Sequence, residues 1–182
     1  MTCRSISKHN FRKKQGLHNT PTPQNVTKAY ISGLLHDSTE RDYTFRISQK
    51  ERSFVEFVQR GIEHLGYRAW TYKEGKARSL FVVEFSKRLL DNHVIFSLVD
   101  KVDYTRGYFD SDGGVPNTLS GRYYIYFAQK DLQDLKQVKN FLQEIGISCG
   151  RTHNPSFKVD PNYYRFYILA RSHDDFARII GS

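Results

Sequence analysis

Apolar residues recur along this chain with two periods, one helical and one alternating, and each kind of stretch occurs twice. Phe54, Val55, Val58, Ile62 and Leu65 fall at three-and-four spacing, as do Leu132, Leu135, Val138, Leu142 and Ile145. Each set predicts an amphipathic helix closed by a glycine, Gly66 or Gly146, that can take the left-handed conformation. Residues 43–47 and 123–127 alternate apolar with polar or aromatic positions and read as half-buried strands. Later strands are predicted over 79–85 and 163–169. Two further apolar runs, 30–35 and 102–109, precede the first strand of each set and read as helices.

The doubling extends to the lettering. Ile47-Ser48-Gln49-Lys50 returns as Phe127-Ala128-Gln129-Lys130 at an offset of 80, and Leu65-Gly66-Tyr67 returns as Ile145-Gly146-Ile147 at the same offset. The opening helices centre on Gly33 and Gly107, an offset of 74, so the second copy carries six more residues between helix and strand. Those residues are expected in the loop from Gly113 to Gly121. A glycine at the same place in each opening helix predicts that the two helix backbones approach closely there. The fold class that follows is α+β, with two pseudo-symmetric repeats. Each is a curved antiparallel sheet with helices on one face, and the opening helices pack at the central interface. The expected division is a basic arm at 1–24, a first half at 25–100 and a second half at 101–182.

Composition narrows the partners. A formal net charge of +9 and a pI near 9.5 favour a polyanion. The excess is uneven: no acid precedes Asp37, while Arg4, Lys8, Arg12, Lys13, Lys14 and Lys28 do. The two cysteines, Cys3 and Cys149, make neither a disulfide framework nor a zinc pattern, and a reduced compartment is expected. No apolar run approaches the roughly 20 residues of a membrane span, so no membrane partner is expected. The expected location is intracellular, in cytoplasm or nucleoid, with an organelle left open.

The candidate chemistry centres on Asp112. The run from Val102 ends in Asp110-Ser111-Asp112 and then Gly113-Gly114, which sets carboxylates where a helix stops. A helix C-terminus is already negative, so an acid there calls for solvent or a cation beside it. The segments Thr105-Arg106-Gly107-Tyr108-Phe109-Asp110-Ser111-Asp112-Gly113 and Ile31-Ser32-Gly33-Leu34-Leu35-His36-Asp37-Ser38-Thr39, each followed by a strand ending in Gln-Lys, resemble the motifs of the LAGLIDADG homing endonucleases. The compact single-chain, pseudo-symmetric members are the nearest in design.

That resemblance implies a monomer that lays two saddle-shaped sheets in successive major grooves of a long duplex DNA site. It implies an intron-encoded endonuclease using Mg2+ (or Mn2+) for phosphodiester hydrolysis. Intron RNA, bound by a splicing maturase of the same fold, is the alternative partner, and a DNA-binding remnant without cleavage is the alternative state. Asp112 matches the motif's metal-binding acid, and the matching position of the first half holds Ser38, a poor magnesium ligand. On this alignment one site is impaired, and three states are open: a weak double-strand endonuclease, a strand-specific nickase, or a protein that binds without cutting. Asp37, one residue earlier, is a metal candidate only if the turn is re-registered.

Gln49 and Gln129 match the glutamine that closes the family's first strand, and Lys101 joins them as a candidate catalytic cation. DNA contacts are expected from Arg46, Lys50, Arg68, Lys73, Arg78, Tyr124, Tyr126, Lys130, Arg151 and Arg165. Tyrosines 123, 124, 126, 163 and 164 are expected chiefly to fill the core and rim of a sheet. His36 is expected to be a solvated or hydrogen-bonded histidine at the helix end, and Asp110 a helix-end acid apart from the metal.

Overall fold

A computed structural model of the chain describes residues 26–75, 79–116 and 123–181. Its first half opens with α1 (Lys28–Leu34), capped by the Thr27 hydroxyl, which accepts from the Tyr30 amide. A 3-10 turn, Leu35–Asp37, carries the chain directly into β1 (Ser38–Glu40). β2 (Thr44–Gln49), α2 (Arg52–His64), β3 (Ala69–Glu74) and β4 (Leu80–Ser86) follow, and the antiparallel sheet has the order β1-β2-β4-β3. The second half repeats this plan more sparely. α3 (Leu98–Asp112) runs into β5 (Gly113–Gly114), then β6 (Tyr126–Gln129), α4 (Leu132–Glu144), β7 (Tyr164–Tyr167) and α5 (His173–Ile179). The order of the second sheet is β5-β6-β7, again antiparallel.

Local chemistry accounts for the boundaries. Ser97 and Asp100 form a reciprocal capping box that starts α3, so the helix begins four residues before the apolar run. Asp131 caps α4 by accepting from the amides of Gln133 and Asp134. The predicted left-handed closures are present, with φ of +85° at Gly66 and +86° at Gly146. The strands predicted over 123–127 and 163–169 are shorter as paired elements, at Tyr126–Gln129 and Tyr164–Tyr167.

Each half has its own core. In the first, Ile31, Leu34, Ile47, Val55, Val58, Ile62, Val83 and Phe85 are buried between α1, α2 and the inner face of the sheet. In the second, Tyr108, Phe109, Phe127, Leu135, Leu142, Phe166 and Phe176 do the same, and Phe127 stacks on Phe166 at 5.2 Å. The halves meet along α1 and α3. A Cβ placed on Gly33 would overlap the Tyr104 carbonyl oxygen, and one on Gly107 would overlap the Tyr30 carbonyl oxygen. Here the two backbones touch, as the paired glycines predicted. Cross-interface bonds run from Thr27 Oγ1 to Asp103 (2.9 Å) and from Tyr30 OH to Asp110 (2.7 Å). No helix among the described residues is long and apolar enough to cross a membrane.

Candidate active site at the paired helix ends

Both opening helices point their C-terminal ends the same way, and each end hands a carboxylate to the first strand pair of its half. In the second half, Gln129 at the end of β6 donates from Nε2 to Asp112 Oδ2 at 3.0 Å. In the first half, Gln49 at the end of β2 donates from Nε2 to Oδ2 of Asp37, at 3.5 Å. The glutamines are the equivalent residues of the repeat. Their partners are therefore the acids to compare, and the first is Asp37.

Strand register supports the same pairing. Ser38 lies opposite Ile47, and Gly113 lies opposite Phe127. Since Ile47 and Phe127 are equivalent, Ser38 corresponds to Gly113 and the residue before it, Asp37, to Asp112. The alignment by glycines, which set Ser38 against Asp112, is displaced by one at this point. From Gly33 to Ser38 the chain takes one step fewer than from Gly107 to Gly113. The 3-10 turn absorbs the difference, because it uses about 3.0 residues per turn where an α-helix uses about 3.6. Of the six extra residues of the second copy, one lies in the helix and five lie between β5 and β6, where 117–122 are outside the described residues. Ser38 itself turns away, its hydroxyl donating to the Leu35 carbonyl at 2.7 Å.

The surroundings of the acids are firm. Ser111 Oγ donates to the Tyr108 carbonyl (2.9 Å) and lies 3.4 Å from the carbonyl oxygen of Gly33, tying the end of α3 to α1. His36, next to Asp37, crosses to the second half. Its Nδ1 lies 3.0 Å from Asp134 Oδ2, its Nε2 lies 2.5 Å from Tyr104 OH, and its ring packs 4.3 Å from that of Tyr108. Burial lowers the His36 pKa, with the Asp134 carboxylate opposing, so the ring is a hydrogen-bonded bridge between halves rather than a solvated helix end. Asp110 is engaged by Tyr30 OH, apart from the two Gln-bound acids. Burial also pushes the Tyr104 and Tyr108 hydroxyls well above the ordinary tyrosine range, which keeps them neutral.

The donor set is one of hard oxygens. No group of three or more His, Cys, Asp or Glu side chains able to hold a metal occurs among the described residues. A lone carboxylate per half fits a divalent cation that takes one or two carboxylates and fills the rest of its shell with phosphate oxygens and water. Magnesium suits that set, and zinc does not.

Other candidates fall elsewhere. Lys101 stands eleven residues before Asp112 on the same helix, about 16 Å along its axis, and ion-pairs with Glu144. It is too far away to act on a phosphate at Asp112. Arg46 is on the outer sheet face as expected, but its guanidinium is held by Glu74 at 2.9 Å and Tyr72 at 2.9 Å, with Glu84 at 4.0 Å. Lys73 is exposed but has the strand parity of the inner face, opposite to Tyr72 and Arg46. Arg68 and Arg151 are exposed in connecting segments, Lys50 is exposed just after β2, and Lys130 pairs with Asp160 at 3.2 Å. Arg78 lies outside the described residues.

The tyrosines divide by strand parity. Tyr164 packs against the second core, whereas Tyr124, Tyr126 and Tyr163 lie on the outer face with Tyr167, around Arg165. Tyr124 and Tyr126 thus lie on the outer face as expected, Tyr164 fills the core as expected, and Tyr163 is corrected from core and rim to the outer face around Arg165. Sequence reasoning missed Tyr167 and the His36 bridge; the alternation of β7 carried the signal for the first.

Comparison with known proteins agrees with the fold. Residues 101–181 match the profile of the LAGLIDADG-like domain. The whole chain superposes on solved structures of that fold. With I-DmoI bound to DNA and Mn it shares a TM-score of 0.64 at 18% identity, over 85% of this chain and 96% of that one. The second half thus matches the LAGLIDADG-like domain, and the chain shares the LAGLIDADG fold. The N-terminal LAGLIDADG domain of DUF199/WhiA is similar over 100% of this chain and 93% of that one, with a TM-score of 0.68 at 12% identity. Full-length DUF199/WhiA from Thermatoga maritima gives 0.67 at 18% identity, over 92% and 60%. No curated protein matches the chain by sequence. The profile falls on the half with the regular motif; the first half, whose motif is shortened by one residue, is similar to these structures in fold.

Proposed function

We propose that the chain is a site-specific DNA endonuclease of the homing type that uses both halves, with Asp37 and Asp112 as the two metal-binding acids. The observation that carries this reading is the repeated carboxylate–glutamine pair, Asp37–Gln49 and Asp112–Gln129, at the same register position of each sheet. On this reading the first site works through Asp37 rather than Ser38, and double-strand cleavage is proposed in place of a nick.

Each carboxylate would anchor a divalent cation, Mg2+ or Mn2+, beside one strand of the duplex. Gln49 and Gln129 hold the carboxylates in place by donating to one oxygen of each. A divalent ion there supplies Lewis acidity and a hydroxide source at neutral pH. The negative helix ends add to the attraction for cations. Lys50 and Lys130 follow the glutamines and are the nearest candidates for phosphate contacts. DNA is favoured over intron RNA because I-DmoI, with which the fold is shared, was solved in complexes with DNA and Mn and with DNA and Ca. One chain with both acids needs no second copy, so a monomer is proposed.

The test needs a target. A supercoiled plasmid library carrying randomised inserts is incubated with the protein and magnesium, and linear product is isolated and sequenced. Recovery of one long insert sequence, lost with a chelator and with Asp112→Asn, supports the proposal. Cleavage that persists in Asp112→Asn removes Asp112 from the site. Binding without any cut product at any divalent metal removes the endonuclease.

A further inference from the structure

The outer faces of the two sheets are built from different chemistry. On the first, the cations are answered by acids of the same face. Arg46 is paired with Glu74, and Glu84 is buried beneath, accepting from Thr44 Oγ1 (2.7 Å) and Tyr72 OH (2.9 Å) with Arg41 at 3.6 Å. On the second, Arg165 stands among rings. Its Cζ lies 4.5 Å from the centroid of Tyr126, 5.5 Å from Tyr163 and 6.0 Å from Tyr167. Its terminal nitrogens donate to the hydroxyls of Tyr163 (3.0 Å) and Tyr167 (3.4 Å), and its buried Nε has no partner. His153 stacks on Tyr167 at 5.4 Å and extends the aromatic surface.

No carboxylate among the described residues lies in ion-pair range of Arg165, and residues 1–25, 76–78, 117–122 and 182 contain no Asp or Glu. A partly buried cation without a counter-anion is costly, and ring faces offset only part of that cost. A hydroxyl that accepts from a guanidinium also keeps its own proton to donate. The site thus presents a cation and two O–H donors, with the anion missing. The first face already contains its anions.

We infer that the two halves contribute unequally to nucleic-acid binding: the tyrosine-caged Arg165 face of the second sheet anchors a backbone phosphate, while the first face is neutralised from within by Glu74 and Glu84. This rests on the DNA-binding reading above but not on cleavage.

The experiment is fluorescence anisotropy of the full chain with a labelled duplex of about 30 base pairs and arbitrary sequence, across a series of KCl concentrations. Wild type is expected to bind with a linear dependence of log affinity on log salt, whose slope counts the phosphates neutralised. Arg165→Met should weaken binding about tenfold and reduce that slope by about one, while Arg46→Met should change affinity less than about twofold. Tyr163→Phe with Tyr167→Phe, which keeps the rings and removes the donors, should weaken binding two- to fivefold, roughly, and serves if Arg165→Met does not fold. Glu74→Gln should strengthen binding. Equal losses in Arg46→Met and Arg165→Met, or the larger loss at Arg46, overturn the inference while leaving DNA binding intact. Failure of wild type to bind duplex DNA at low salt overturns the DNA-binding reading itself.

Discussion

Replacing Gly33 by alanine puts one methyl group into the backbone contact between α1 and α3. A Cβ there would overlap the Tyr104 carbonyl oxygen and sit 2.7 Å from the Tyr108 amide nitrogen, so the obstruction is backbone on the facing helix, not the end of a flexible side chain. Overpacking a well-filled interface costs about 1–3 kcal/mol, and contact with unyielding backbone argues for the upper end. Alanine regains about 1 kcal/mol of helix propensity over glycine. The net expectation is a loss of about 2 kcal/mol, read as a fall in the urea midpoint at unchanged slope.

Because α1 and α3 separate as a unit, Gly107→Ala acts on the same gap. The double variant should lose clearly less than the sum of the singles, with a coupling of about 0.5 kcal/mol or more. Ser32→Ala, one residue away and bonded only to the Lys28 carbonyl of its own helix, is the control and should stay within about 0.5 kcal/mol. Gly33→Ala as stable as wild type, or strict additivity with Gly107→Ala, would refute the close approach of the helices.

Tyr108 is fully buried and its hydroxyl has no hydrogen-bond partner, so Tyr108→Phe should be neutral or stabilising by about 1 kcal/mol in the same assay; a loss above that size contradicts the packing described. The His36 pKa is lowered by burial, so the unfolded chain binds more protons near pH 6 than the fold does. His36 therefore contributes stability at neutral pH that is lost as pH falls below the ordinary value of 6.5, and His36→Gln should flatten the stability profile between pH 7 and 5. Thr27→Ala removes both the α1 cap and the bond to Asp103, and should cost about 2 kcal/mol in chemical denaturation.

Much of the fold was legible because its signals are local. The three-and-four spacing of Phe54 to Leu65 and of Leu132 to Ile145, with a glycine after each, specifies helices and their ends without reference to anything distant. The paired glycines could be read as an interface because a repeat gives each an equivalent. The active-site register was not legible in the same way. Two landmarks, Gly33 and Ile47, give alignments that differ by one before β1, and only strand pairing decides which holds at Asp37. The conformation that decides it, a 3-10 turn at Leu35–Asp37, depends on how β1 is held against β2.

The partners of Arg46 were hidden for a related reason. Glu74 and Glu84 lie 28 and 38 positions away and meet it only across strands. By contrast, the alternation of β7 already put Tyr163, Arg165 and Tyr167 on one face, and only the direction of that face needed the structure.

The central claim, that the first half works through Asp37, is tested most directly by the topology of the cut. On a supercoiled plasmid carrying the selected target, wild type with magnesium should give linear product, and Ser38→Ala should do the same. Asp37→Asn should stop at the open circle, with the surviving nick on one strand. Linear product from Asp37→Asn, with cleavage lost instead in Ser38→Ala, would contradict the register on which the account stands.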